Sequence, residues 1–72
     1  METGMLWFDN DTRSDLHTKV VRAADYYQRK YGKKPDVCFV HPSAVQDSQR
    51  MDGIEIRRSQ MVLPTHLWIG LL

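Results

Sequence analysis

The sequence predicts an α+β (α/β) fold: a single β-α-β unit extended by two or three further strands into a mixed sheet, with one helix on one face. Three observations carry this. One long amphipathic stripe of helical period lies between two short apolar runs. A stretch alternating apolar and charged residues follows at 53–58, and the sequence closes on a third apolar run at 67–72. With 72 residues there is room for one domain, 1–72.

Met5-Leu6-Trp7-Phe8 is too short for a helix and apolar at every position, which fits a strand buried on both faces. It stops at Asp9-Asn10-Asp11, whose side chains favour turns by bonding nearby amides. Thr12-Arg13-Ser14-Asp15 fits the capping pattern of Ser or Thr followed three residues later by an acid. Leu16, Val20, Ala23, Ala24, Tyr27 and Tyr31 then recur at steps of three and four, so a helix is expected over 13–31 with these residues facing the sheet. Gly32 supplies a left-handed cap, and Pro35 prevents continuation.

Val37-Cys38-Phe39-Val40 is a second strand, ended by His41-Pro42. Residues 42–52 are polar and rich in turn formers and read as a loop, with one helical turn near 43–47. Gly53-Ile54-Glu55-Ile56-Arg57-Arg58 is a strand with one wet face, and Met61-Val62-Leu63 a short strand or extended link. A strand–helix–strand crossover makes the first two strands parallel, and later strands add by hairpins.

Composition narrows the function classes. Ten Lys and Arg against nine Asp and Glu leave a net charge of +1, unlike the large basic surplus of a non-specific nucleic-acid binder. No apolar run approaches the roughly 18 residues of a membrane helix. The one cysteine cannot form an internal disulfide, and Met1-Glu2-Thr3-Gly4-Met5 lacks the features of a secretory signal, so a cytoplasmic location is expected. A chain of this length buries only about 60% of its unfolded surface, which favours an oligomer or a larger protein partner.

Few residues carry a chemical signal. Cys38, His41 and His66 are the candidates for a small enzyme or metal-dependent protein. Cys38 sits among Val37, Phe39 and Val40, where burial raises a thiol pKa, and it reads as a small core residue. His41 and His66 each border a proline or lie near one at a strand end, where a hydrogen-bonding role suffices; a zinc site needs three or four convergent ligands. No cofactor and no metal are expected. Asp9-x-Asp11 opens like a calcium loop, but Arg13, Ser14 and Val20 occupy ligand or glycine positions.

Residues 13–34 hold seven basic side chains against two acids. Lys19, Arg22, Arg29, Lys30, Lys33 and Lys34 define a basic face that a nucleic-acid adaptor would use; a solvated helix face, with Lys and Arg suited to its C-terminal end, is the favoured account.

The order of punctuation (Gly32, Pro35, Asp36, Pro42, Gly53, Pro64 and Gly70, between a helix and apolar strands) resembles the axial domain of tailed-phage major capsid proteins and related encapsulins. The likeness spans roughly residues 16–72. It implies a stand-alone relative of that domain, because the chain lacks the long peripheral helix and extended arm of a shell protein. More broadly the chain resembles short bacterial α/β proteins.

The sharpest expectation concerns the sheet. Neighbouring residues on a strand point to opposite faces, and one helix covers one face. Trp7, Phe8, Phe39, Trp68 and Ile69 are therefore interface candidates, some of them on an uncovered apolar face that a homodimer would bury. The functional expectation is a non-enzymatic interaction or self-assembly module.

Overall fold

The computed structural model describes residues 3–72; Met1 and Glu2, the start of the segment read as lacking the features of a secretory signal, lie outside them. The elements are β1 (Thr3–Phe8), α1 (Leu16–Tyr31), β2 (Val37–Val40), β3 (Gln49–Met51), β4 (Ile54–Arg58) and β5 (His66–Leu71). The five described strands form one mixed sheet in the order β1-β5-β2-β4-β3, with α1 packed on one face. This is the predicted class, and the crossover unit is extended by three strands.

β5 is inserted between the two strands of the crossover. It pairs antiparallel with β1 on one side and with β2 on the other, so β1 and β2 run parallel without touching. Its sequence explains the position: Leu67 and Ile69 point to one face, Trp68 to the other, and a strand apolar on both sides suits the middle of a sheet. β2 pairs parallel with β4, and β4 antiparallel with β3.

The helix starts at Leu16, three residues later than the capping pattern at Thr12 implies and at the first residue of its apolar stripe. Asp15, not Thr12, is the cap: its carboxylate accepts from the Thr18 amide at 2.8 Å. The preceding residues are held in a turn by Asp11, which accepts from the Arg13 amide at 2.9 Å and the Ser14 hydroxyl at 2.8 Å. Those bonds lower the pKa of the Asp11 carboxyl, as the amide bond from Thr18 does for Asp15. At the other end Gly32 adopts φ 75° and its amide closes on Gln28 O at 2.8 Å.

The expected loop at 42–52 contains a strand. Gln49–Met51 pairs with β4 through a two-residue turn in which Asp52 and Gly53 both have positive φ, 51° and 78°. This is the conformation a tight hairpin requires, and Asp-Gly is a preferred sequence for it. Residues 41–44 form a turn closed by Ala44 N–H donating to His41 O. Met61–Leu63 is a turning link, not a strand.

The core lies between α1 and the sheet. Val20, Ala23 and Tyr27 meet Cys38, Val40, Ile54, Ile56, Leu67 and Ile69, with Met5, Trp7, Leu16, Ala24, Val45 and Met51 packed around them. Tyr31 ends the helical stripe at the margin and is exposed, its ring tilted against that of Tyr27 with centroids 4.7 Å apart. Val20 is buried at the centre of the stripe. Val20→Asp places an unpaired carboxylate there, at a cost comparable with the roughly 5 kcal/mol available to a domain of this size. The expected result is loss of cooperative urea unfolding and of helical circular dichroism.

Candidate interaction surface

Register sorts the sheet's side chains into two sets. Met5, Trp7, Cys38, Val40, Ile54, Ile56, Leu67 and Ile69 pack with the helix-side core. The residues between them in sequence point to the other face, which no described element covers with a second layer. There one cross-strand row reads Leu6, Trp68, Phe39, Arg57, and a second reads Gly4, Gly70, Val37, Glu55, Arg50.

Of the five interface candidates, the open face therefore carries Phe8, Phe39 and Trp68. Trp7 and Ile69 lie beneath the helix, where Ile69 is fully buried and Trp7 packs on the Tyr26 ring at 5.4 Å. The division follows from strand alternation, since each pair of neighbours splits between faces.

Polarity is unevenly spread over this face. Above β4, Glu55 and Arg57 form an ion pair with Nε 2.6 Å from Oε2. Above β1, β5 and β2 the face is apolar and aromatic. Phe39 meets Trp68 edge-on at 6.3 Å, and Phe8 meets the His66 ring at 5.1 Å. The Trp68 indole lies over Gly4, where an added Cβ would overlap its ring. Gly4 is thus needed for close approach rather than for backbone freedom.

Much of this apolar half remains in water. Leu6 is 60% exposed and Phe8 58%, and the link after β4 adds Leu63 at 63% and Met61 at 92%. Leu6, Phe39, Ser59, Met61, Val62 and Trp68 line an open groove of about 300 Å³. Leu6 is hidden from sequence reasoning because nothing there says which strand is the edge. The signal for Met61 and Leu63 is their position beside Val62 just before Pro64.

The chemical candidates do not converge. Cys38 is fully buried on the helix side, while His66 lies on the open face. The His41 Nδ1 accepts from the Ser43 amide at 3.1 Å and lies 2.8 Å from the Ser43 hydroxyl, so it closes its own turn. His66 Nδ1 is 3.1 Å from Thr65 Oγ1. Among the described residues no group of three His, Cys, Asp or Glu side chains is placed to hold a metal.

The basic face is partly answered from within. Lys19 Nζ donates to Asp9 O at 3.3 Å, and Arg22 lies 3.6 Å from Asp9 and 3.7 Å from Asp11. Arg29 pairs with Asp25 at 3.0 Å, and Lys30 sits over the Tyr31 ring. Lys33 and Lys34 follow the helix end and are exposed. The acids of the apparent calcium loop thus serve the turn and the helix. No described helix is long and apolar enough to cross a membrane. Comparison of the chain with family models, curated proteins and solved structures gave no match.

Burial pushes the Cys38 thiol from its ordinary 9.0 up to about 12. An unfolded chain releases this proton first, so the contribution of a neutral buried thiol is complete below pH 9.0 and is lost as pH rises toward about 12. Urea unfolding at a series of pH values should show wild-type stability falling more steeply over that window than Cys38→Ala stability.

Proposed function

We propose that this chain is a small non-enzymatic association module that pairs with a second copy of itself through the apolar half of its open sheet face. The observation that carries the reading is the groove shared by exposed Leu6 and Met61 with Phe39 and Trp68, with exposed Phe8 beside it on β1, on a face that no described element covers with a second layer. Taking such side chains out of water gains about 1.5–3 kcal/mol for each one fully buried. Two or three of them are significant beside a fold stability of about 5 kcal/mol. A two-fold pair is the simplest closed arrangement, because each copy offers the same surface.

A catalytic reading has less support. The one thiol is buried and held neutral, and each strand-end histidine is engaged by its sequence neighbour. A nucleic-acid reading has to draw on a basic face whose Arg22 and Arg29 already face carboxylates.

Sedimentation equilibrium at micromolar concentration tests the proposal. The wild type should show twice the mass of the 8.5 kDa chain. The double variant Leu6→Lys/Phe8→Lys should sediment as a monomer with an unchanged circular dichroism spectrum, since both side chains already face solvent. A wild-type monomer across the whole concentration range would overturn the reading.

A further inference from the structure

Resting on that reading, we infer that the two copies join edge to edge, β1 against β1 in antiparallel register centred on Leu6, making one continuous sheet across the two-fold axis. The backbone carries the first part of the argument. Asp9 N–H donates to Thr65 O at 2.9 Å, which fixes the alternation of the β1–β5 ladder. Met5 and Trp7 then direct their main-chain groups toward β5, and Gly4, Leu6 and Phe8 direct theirs away from it. β1 has β5 as its only neighbour among the described strands, so these outward groups line a free edge.

The two edges of the sheet differ in the features that normally prevent pairing. β3 is three residues long, bears exposed Arg50, and is held beside a tight turn. β1 runs six residues, Thr-Gly-Met-Leu-Trp-Phe, with no charge and no proline. Short, charged edges resist strand addition, and long apolar edges invite it. The exposed apolar side chains at 6 and 8 lie on this same strand, so pairing along the edge brings the part of the open face nearest β1 of one copy beside that of the other.

Self-complementarity selects the occupant. In the register centred on Leu6, Leu6 faces its own copy and Gly4 faces Phe8 of the other copy. Each outward residue then exchanges two N–H···O bonds with its opposite, the fullest set that residues 4–8 allow. The side chains agree with the backbone. The place above Gly4 is filled by the Trp68 indole, so a Phe8 ring arriving opposite Gly4 meets an aromatic wall instead of a gap. On the helix side the same register sets Met5 opposite Trp7. Residues 4–8, which pair along the seam, carry no charge.

Amide hydrogen exchange, followed by NMR on the full chain across a concentration series, tests this directly. With Leu6→Pro as the reference, the edge inference expects exchange at Phe8 to slow more than about tenfold in the wild type as the dimer forms. Leu6 should gain comparable protection between low and high concentration. Leu6→Pro removes an outward N–H and none from the β1–β5 ladder, so it should remain folded and become monomeric. A dimer whose Leu6 and Phe8 amides exchange as fast as in dilute protein would overturn the edge inference and leave face-to-face association standing. A wild type that stays monomeric throughout would overturn both.

Discussion

Among the described residues, one helix of sixteen residues has to cover a sheet of five strands, and it can shield only one face. This constraint governs the rest of the molecule. The helix-side core is complete: α1 contributes Val20, Ala23 and Tyr27, and the strands answer with fully buried Cys38, Val40, Ile56 and Ile69. The central strands nevertheless carry apolar residues at alternate positions too, because β5 and β2 are flanked on both edges and tolerate no break in their ladders. Their second set of side chains has no layer to meet.

The sheet solves half of that problem with its own side chains. The Trp68 indole folds flat over Gly4, Phe39 packs against its edge, and Val37 is fully buried on this side without help from the helix. Over β4 the Glu55–Arg57 pair makes the face compatible with water. What remains is a strip along β1 and the link after β4, where Leu6, Phe8, Met61 and Leu63 stand out. The strip adjoins the edge with the weakest protection, so side-chain and backbone requirements coincide at one place. Pairing of β1 with a second copy, as proposed, would complete the backbone of that edge and bring Leu6 and Phe8 of both copies together.

The parts of this arrangement legible in the sequence are those set by local periodicity. Steps of three and four from Leu16 to Tyr31 define the helix and its buried face, and Gly32 marks its end by the φ it must adopt. The helix start is less legible, because Thr12 and Asp15 both fit a cap and only the turn geometry decides between them. β3 is obscured by its polarity: Gln49 and Arg50 are edge residues with no apolar alternation to show, although Asp52-Gly53 is a hairpin signal in itself. Alternation shows that Trp7 and Phe8 must part, but which of them goes under the helix depends on register. The insertion of β5 between β1 and β2 has no local signature at all. It rests on pairings between residues more than sixty positions apart, such as Met5 with Ile69, and it decides that β1 is an edge.

As proposed, the open face and its β1 edge draw part of their stability from a second copy. Thermal unfolding of the full chain at concentrations from about 1 to about 100 micromolar measures this most directly, since a species stabilised by association gains stability by mass action. A midpoint that climbs by several degrees across that range is the predicted result. A midpoint that stays constant while unfolding remains reversible would contradict the claim.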